Sequence, residues 1–184
     1  MPRPIAWVTS RNPKTGVVNL APFSFFTGCS VLPPMICFAA ERRWGDRKDT
    51  VKNIEDTGEF VVNIASVKLA SEVVVSAQDF PPDVSEVEEA GLHLLPGDMV
   101  QVPRIEEAPV SLECRLHQIT VLGTSPHSLV IGHVLQFHVC DDVYDGGRIN
   151  FDTLDALGRL SGDWYITTRD KINVKRRDFR KDSY

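Results

Sequence analysis

The feature of this sequence that most constrains its fold is a series of six short segments with the character of β-strands. Each segment is rich in β-branched and other apolar residues and is bounded by Gly, Pro, Asn or Asp. The segments span residues 5–9, 17–20, 35–40, 60–64, 111–122 and 128–138. Many strands at short spacing, with few helices between them, are typical of a closed or nearly closed antiparallel barrel with helices on its outside. The sequence therefore predicts a mainly β fold.

Turn and cap signals predict how some of these elements are connected. A polar turn that ends in Gly16 separates the first two strands, so these strands should pair as a hairpin. A short helix should begin near Asp49. A second helix should run over about residues 67–78, because Ser66 is a good amino-terminal cap and two prolines follow at 81–82.

Length and net charge limit the kinds of molecule this chain should bind. Its 184 residues suit one globular domain over residues 1–184, with a polar tail from about residue 169. The formal net charge of −5 argues against non-specific electrostatic binding of nucleic acid, which normally needs an excess of basic residues. The longest apolar runs fall far short of the roughly 18 residues that a membrane-spanning helix needs. We therefore expect neither a nucleic acid nor a membrane as partner.

Charge is distributed unevenly along the chain. Residues 72–107 hold nine acidic residues and one basic residue, whereas residues 169–184 hold seven basic and three acidic residues. The favoured interpretation is that the acidic segment is a solvent-exposed excursion from the core and that the carboxyl terminus is a polar tail. The alternative is that the two segments meet, within one chain or across an oligomer.

The amino terminus and the cysteines bear on the cellular compartment. The first residues lack the apolar stretch and cleavage site of a secretory signal, which predicts a cytoplasmic location. The four cysteines are widely spaced and form no Cys-x-x-Cys pair, so we expect buried or idle thiols rather than disulfides or a metal site. They are Cys29, Cys37, Cys114 and Cys140.

The standard signatures of several enzyme classes do not occur in this sequence. No Gly-x-Gly-x-x-Gly follows a strand and no P-loop is present, so a Rossmann or P-loop enzyme is disfavoured. No His-Glu-x-x-His occurs, and we expect no metal site. The absence of Gly-x-Ser-x-Gly leaves covalent hydrolysis without support.

An unusual segment at residues 19–30 follows the second strand. We expect that strand to end at Asn19-Leu20 and Pro22 to stop its pairing, which frees backbone groups beside small and hydroxyl residues. Such a stretch can hydrogen-bond the edge of a flat heteroaromatic ring. The alternative, which the residues leave equally open, is a plain turn whose three Phe side chains fill the core.

Residues 46–54 form a second candidate segment. The amino terminus of a helix offers unpaired N–H groups and the positive end of the helix dipole, and Lys48, Thr50 and Asn53 lie beside it. This arrangement suits a terminal phosphate. The alternative is a capped surface helix with solvated charges, which Asp49 favours because it opposes an anion.

Residues 157–165 form a third candidate segment. They combine two glycines, the Arg159 guanidinium and two aromatic side chains, one of them Tyr165. This segment could close over a ring, or it could be a loop that leads to a last edge strand.

These three segments, in this order, resemble the flavin reductase-like family of FMN-binding split-barrel proteins. The resemblance is carried by Pro-Arg-Pro-Ile-Ala-Trp-Val-Thr at 2–9, Asn-Leu-Ala-Pro-Phe-Ser-Phe-Phe at 19–26, Pro-Pro at 33–34, Lys-Asp-Thr at 48–50 and Glu-Phe-Val-Val-Asn at 59–63. It implies an antiparallel split β-barrel with a few peripheral helices. Family members usually carry a segment before the first motif, and residues 81–109 match no family feature.

The resemblance also implies which residues contact the cofactor FMN. It implies contacts to the flavin ring from the segment that follows the second strand, namely Asn19, Ala21, Pro22, Ser24, Thr27 and Ser30. It implies phosphate contacts from the helix start, namely Lys48, Asp49 through its backbone, Thr50 and Asn53. Arg159 and Tyr165 of the third segment complete the predicted site. Many relatives have Asn where this chain has Thr27.

The function implied is an FMN-binding oxidoreductase similar to the NAD(P)H-dependent flavin reductases, with NAD(P)H as a possible co-substrate. Bound FMN would carry the redox chemistry, so no catalytic residue is assigned. Two alternatives remain: a flavoredoxin-like electron carrier that takes electrons from a protein donor, and a non-enzymatic FMN-binding barrel. The redox partner is therefore a small molecule or a protein.

We also predict a homodimer with its flavin sites at or near the subunit interface. Split-barrel flavoproteins are typically two-fold dimers, and this chain offers more large aromatic side chains in loops and at strand ends than one small barrel readily covers. These are Phe23, Phe25, Phe26, Trp44, Phe137, Phe151, Trp164 and Tyr165.

Overall fold

The computed structural model describes residues 1–42, 46–124 and 126–175. Within them the strands are β1 (Arg3–Pro4), β2 (Ala6–Arg11), β3 (Val18–Phe23), β4 (Phe26–Val31), β5 (Pro34–Glu41), β6 (Glu59–Ile64), β7 (Leu94–Leu95), β8 (Arg104–Ile105), β9 (Val110–Leu122), β10 (His127–Val139), β11 (Tyr144–Asp145), β12 (Arg148–Ile149), β13 (Gly158–Arg159) and β14 (Tyr165–Ile166). The helices are α1 (Asp49–Thr57), α2 (Ala70–Val75), α3 (Glu86–Glu89) and α4 (Phe151–Leu154). Two 3-10 turns span Val67–Leu69 and Asp141–Val143.

A seven-stranded antiparallel sheet dominates the molecule, in the order β3-β2-β6-β9-β10-β5-β4. Its two end strands, β3 and β4, are consecutive in the chain and are separated only by Ser24 and Phe25. The sheet must therefore curl until its ends meet at this corner, where the Ala39 N–H donates to the Phe25 carbonyl at 2.9 Å. The prediction of a mainly β, antiparallel split barrel is confirmed.

Aromatic side chains fill the inside of the curled sheet. The rings of Phe23 and Phe38 stack at 4.9 Å between centroids, and Phe60 meets Phe38 edge-on at 5.8 Å. These contacts join the end strand β3 to β5 and β6 across the interior. A second apolar cluster lies on the other face of the sheet, where Trp7 and Leu20 pack against residues of the α2 and α3 region.

The predicted strands and the first hairpin are present, with two differences at residues 19–31. β3 does not end at Leu20 but continues through Pro22 to Phe23, paired with β2 from Ala6 to Arg11. Pro22 is tolerated because β3 is an end strand of the sheet, where one side of the backbone has no neighbouring strand to bond. The strand β4 was not predicted, because Gly28, Cys29 and Ser30 interrupt its apolar residues.

Both predicted helices form, and the second is shorter than predicted. Helix α1 ends where Gly58 adopts a φ of 72°, in the left-handed region that favours glycine, and its N–H donates to the Ile54 carbonyl. The second helix consists of a 3-10 turn followed by α2, which stops at Val75. Ser66 precedes the 3-10 turn but its side chain makes no capping hydrogen bond.

The acidic segment at 72–107 is not a solvated excursion. It packs over β2 and β3 and supplies buried side chains such as Val73, Val87 and Ile105 to the second apolar cluster. The basic tail does not meet this segment within the described residues: Arg169 pairs with Asp155 and Lys171 pairs with Asp152. Residues 176–184 of the tail lie outside the described residues.

All four cysteines are free thiols. Cys114 is buried in the barrel, and burial raises the pKa of its thiol well above the ordinary value. In the part of the chain that the structure describes, no helix has both the length and the apolar character needed to cross a membrane.

Candidate functional site

The candidate site is a cavity of about 390 Å³ on the outer side of β3. Three parts of the chain form its walls: strand β3, the start of helix α1, and the segment between α2 and α3. The lining residues are Asn19, Ala21, Pro22, Asp46, Arg47, Lys48, Asp49, Thr50, Lys52, Ser76, Ala77, Gln78, Asp79, Phe80, Pro82 and Glu86. The cavity therefore places two of the three predicted segments side by side.

The start of α1 forms one end of the cavity. Lys48 occupies the cap position, and its side chain makes no capping hydrogen bond to the helix. Thr50 is buried, and its Oγ1 accepts a hydrogen bond from Asn19 Nδ2 at 2.9 Å. This bond fixes the first turn of α1 against β3. The positive end of the helix dipole and the Lys48 side chain thus lie at the same end of the cavity.

Other charged groups at this end are paired with one another. Lys52 Nζ lies 3.1 Å from Asp46 Oδ2 and 3.4 Å from Asp49 Oδ1, and Arg47 pairs with Glu55. The hydrogen bond from Lys52 and the N–H of Arg47 lower the pKa of Asp46 below its ordinary value. The charges of Arg47 and Lys52 are thus partly balanced by neighbouring carboxylates.

Strand β3 forms the side wall through Asn19, Ala21 and Pro22. Asn19 is polar and reaches the start of α1, whereas Ala21 and Pro22 are small and apolar. The cavity is therefore polar where it meets α1 and more apolar further along β3. A flat ring with an anionic tail suits this gradient, because burial of a ring needs apolar contacts and an anion needs N–H donors.

The opposite wall is the segment from Ser76 to Glu86, which the sequence analysis did not assign to the site. Its anchor is buried: Ser76 Oγ accepts a hydrogen bond from Trp7 Nε1 at 2.8 Å. Phe80 and Pro82 supply apolar surface, and Glu86 supplies a buried carboxyl group. The only signal in the sequence was the helix break at residues 81–82, which marks a turn but no ligand contact.

Six of the twelve predicted cofactor-binding residues line the cavity. They are Asn19, Ala21, Pro22, Lys48, Asp49 and Thr50. Asn53 lies on α1 but faces the sheet, where it is buried and donates to Ser10 Oγ at 3.2 Å. In this structure Asn53 holds the helix onto β2.

The other five predicted residues lie away from the cavity lining. Ser24 Oγ accepts a hydrogen bond from Arg3 Nε at 3.1 Å. Thr27 and Ser30 lie on β4, where they pair with β5 at Cys37 and Met35. Ring contacts from these residues remain a prediction.

The third segment forms a small sheet with the amino terminus. Strand β13 pairs with β1 and β14, and Arg3 donates to the Leu160 carbonyl at 2.6 Å. The Arg159 guanidinium lies over the Tyr165 ring, 4.6 Å from its centroid. The described residues of one chain therefore hold Arg159 and Tyr165 against each other, and their contact with a flavin remains a prediction.

A group of three potential metal ligands occurs elsewhere among the described residues: Asp98, Glu113 and His138. Glu113 accepts hydrogen bonds from the backbone N–H groups of Asp98, Met99 and Val100 and contacts His138 Nε2. These bonds already use both carboxylate oxygens. The group therefore fastens the loop at 97–100 to β9.

Solved structures with the same fold support a comparison of function. The nitrilotriacetate monooxygenase component B from Bacillus cereus is 37% identical, with a TM-score of 0.91, over 95% of this chain and 88% of that one. The 2-nitrobenzoate 2-nitroreductase NbaA of Pseudomonas fluorescens is 34% identical, with a TM-score of 0.87, over 97% and 87% of the two chains. The flavoredoxin of Desulfovibrio vulgaris, at 18% identity and a TM-score of 0.81 over 94% and 90%, shares the fold.

Sequence relatives and a family model agree with this comparison. A protein of Deinococcus radiodurans is 40% identical over an alignment that covers 96% of this chain and 80% of the relative. The model of the flavin reductase like domain matches residues 1–154. That match includes β3, α1 and the segment from Ser76 to Glu86, and so contains every wall of the cavity. The chain belongs to the flavin reductase-like family of split-barrel proteins.

Proposed function

We propose that this chain is an FMN-dependent oxidoreductase of the flavin reductase type and that FMN binds in the cavity beside β3. The observation that carries the proposal is the convergence of Lys48, the first turn of α1 and the β3 wall on one cavity. Family membership supports the same function. So do two solved relatives above 30% identity, one a monooxygenase component and the other a nitroreductase.

The residues of the cavity fit FMN. Lys48 and the backbone N–H groups of the first turn of α1 suit its terminal phosphate, which is why we propose FMN rather than FAD. Ala21, Pro22 and Phe80 suit the faces and edges of its ring. Asn19 ties these two ends together through its bond to Thr50.

Bound FMN would supply the redox chemistry, because it accepts a hydride and passes electrons on. The chain's own residues would bind the phosphate, orient the ring and limit the access of water. No protein acid or base is required for this role, so we assign no catalytic residue. We further propose NAD(P)H as the hydride donor.

Reduction of the flavin in the absence of oxygen tests the donor. Loss of the flavin absorbance bands on addition of NADH or NADPH is the result we expect. If neither nucleotide bleaches the flavin but a reduced electron-transfer protein does, the flavoredoxin-like alternative is correct. Bound flavin that no donor reduces would indicate a non-enzymatic FMN-binding protein.

A flavin titration of a double variant tests the phosphate assignment. Lys48→Ala with Thr50→Ala should weaken FMN binding at least tenfold, because charge-assisted hydrogen bonds contribute about 1.5–3 kcal/mol each. Lys14→Ala is the matched control, since Lys14 is exposed in the β2–β3 turn and outside the cavity. Unchanged FMN affinity in a double variant that retains its melting temperature would refute the assignment.

We also propose that the working unit is a homodimer. Four of the aromatic side chains counted in the sequence analysis are more than half exposed: Phe25, Phe137, Phe151 and Trp164. Phe23 is instead buried inside its own barrel, and Trp44 lies outside the described residues. Exposed aromatic side chains of this kind are enriched in subunit interfaces.

Light scattering at micromolar concentration tests the dimer. We expect twice the mass of the single chain. A mass near 20.5 kDa, with flavin still bound, would overturn both the dimer and a flavin site shared between subunits.

The cytoplasmic location remains a prediction from the sequence.

A further inference from the structure

Glu86 is a buried carboxyl group in the wall of the cavity. Its exposed fraction is 8%, whereas Asp46 and Asp79 in the same lining are exposed and Asp49 is half-buried. A carboxyl group that is both buried and in contact with a binding cavity can exchange a proton when a ligand changes its surroundings. Nothing in the sequence analysis assigned a role to this residue.

Two hydrogen bonds to β3 hold Glu86 in place. Ser85 Oγ donates to the Val18 carbonyl at 2.6 Å, and the Leu20 N–H donates to Glu86 Oε2 at 2.9 Å. Because β3 is an end strand, N–H groups on its outer side have no neighbouring strand to bond, and Glu86 supplies the acceptor. The carboxyl group is therefore fixed between Asn19 and Ala21, two residues of the cavity wall.

The surroundings of Glu86 stabilise its ionised form only weakly. Burial raises the pKa of Glu86, and the backbone N–H groups of Leu20 and of Glu86 itself only partly offset this. From α1, Asp49 raises the pKa further and Lys48 lowers it. Asp79 is the other acid of the opposite wall, β3 contributes no titratable group, and Glu88 and Glu89 on α3 are exposed. The pKa of Glu86 lies above its ordinary value.

We propose that Glu86 takes up a proton when FMN binds and releases it when FMN leaves, so that the cavity holds flavin less tightly as the pH rises. This inference rests on the proposed function. An anionic phosphate at the α1 start adds negative charge near the Glu86 carboxylate, which Asp49 already destabilises. The phosphate also partly neutralises Lys48, whose positive charge favours ionised Glu86. Both effects favour the protonated form of Glu86.

Protonation also changes what the cavity wall offers to a ligand. An ionised carboxylate only accepts hydrogen bonds, whereas a protonated carboxyl group can donate one. FMN presents phosphate, hydroxyl and carbonyl oxygens. A protonated Glu86 therefore adds a donor to a wall that otherwise opposes those oxygens with negative charge.

Calorimetry measures this proton uptake directly. FMN is titrated into the protein in two buffers that differ in their enthalpy of ionisation, and the difference in heat reports the protons taken up. Glu86→Gln keeps an oxygen that can accept from the Leu20 N–H but cannot gain a proton. Glu88→Gln, on the exposed side of the same helix, is the matched control.

We expect Glu86→Gln to take up fewer protons than the wild-type protein and Glu88→Gln to match the wild type. As the pH rises through the folded-state pKa of Glu86, which lies above its ordinary value, the FMN affinity of the wild type should fall about threefold more than that of Glu86→Gln. The comparison with this variant removes the contribution of the FMN phosphate, which itself titrates near about pH 6.

The possible outcomes separate the inference from the proposed function. A wild-type protein that binds no FMN would refute the function. FMN binding with the same proton uptake in the wild type and in Glu86→Gln would refute the role of Glu86 and leave the function standing. If Glu86→Gln does not fold, the infrared difference spectrum of FMN binding to the wild type decides. A new C=O band of a protonated carboxyl group is expected, and its absence would overturn the inference.

Discussion

Two buried carboxyl groups, one at the centre of the sheet and one at its edge, are held in opposite ways. Glu113 lies on the central strand β9 with none of its surface exposed, and Glu86 bonds the end strand β3 with 8% exposed. Glu113 accepts hydrogen bonds from three backbone N–H groups and contacts His138. Glu86 lies on helix α3 and accepts a hydrogen bond from the Leu20 N–H of β3, besides the one from its own backbone N–H.

The supply of donors decides the direction of each pKa shift. Burial alone would raise the pKa of Glu113, but its backbone N–H donors and His138 bring that pKa below the ordinary value. For Glu86 the effect of burial dominates and the pKa is raised. A carboxylate that accepts from several N–H groups of the loop at 97–100 is therefore a stable structural charge, whereas a carboxyl group beside a cavity remains sensitive to what enters it.

Removal of the Glu113 carboxylate should produce the largest loss of stability. Glu113→Ala leaves three backbone N–H groups at 97–100 without their acceptor, so the free energy of unfolding should fall by about 3 kcal/mol. Urea denaturation measures this loss. Glu106→Ala, at an exposed position, is the control and should change it by less than about 0.5 kcal/mol. Equal stability of the two variants would refute the structural role of Glu113.

A methyl group added at the centre of the sheet should cost more than one added at its edge. In Gly132→Ala the new Cβ would lie 2.4 Å from Phe60 Cζ, a buried ring atom, so we expect a loss of about 2 kcal/mol. Gly28→Ala on the end strand β4 is the matched variant, because its Cβ would meet nothing within 4 Å. Thermal unfolding compares the two. A larger loss for Gly28→Ala would contradict the contrast between centre and edge.

The two carboxyl groups should give stability profiles of opposite slope with pH. The folded-state pKa of Glu113 is lowered, so its contribution is present above the unfolded pKa of about 4.5 and is lost as the pH falls through the folded value. The folded-state pKa of Glu86 is raised, so its contribution is present below about 4.5 and is lost as the pH rises through the folded value.

Urea unfolding of Glu113→Gln and Glu86→Gln across this pH range measures both slopes. At neutral pH Glu113→Gln should be less stable than the wild type, and this difference in the free energy of unfolding should disappear in acid. Glu86→Gln should gain stability relative to the wild type above the folded pKa of Glu86. We expect the second effect to be the smaller one. Slopes of the same sign in the two variants would mean that the donors around one of the carboxyl groups are wrongly assigned.

The local pattern of the chain was sufficient to predict six of the seven strands of its large sheet, its first hairpin and the start of α1. β-Branched and other apolar residues mark β9 and β10, and the turn that ends in Gly16 specifies the pairing of β2 with β3. These features depend on neighbours in the chain, so the sequence reveals them. The motifs at 19–26 and 48–50 likewise predicted two walls of the cavity through their family resemblance.

Contacts between residues far apart in the chain could not be predicted from such local patterns. Only the folded sheet shows that β3 is an end strand, and this position explains why Pro22 can continue it. Only the tertiary structure brings Glu86 to Leu20, 66 positions away in the sequence, and turns Asn53 toward the sheet. The sequence alone determined six of the seven strands of the large sheet, and its family resemblance predicted a phosphate site at the start of α1. The curl of the sheet decided which side chains share the cavity, because burial and hydrogen-bond partners depend on the packing of the whole chain.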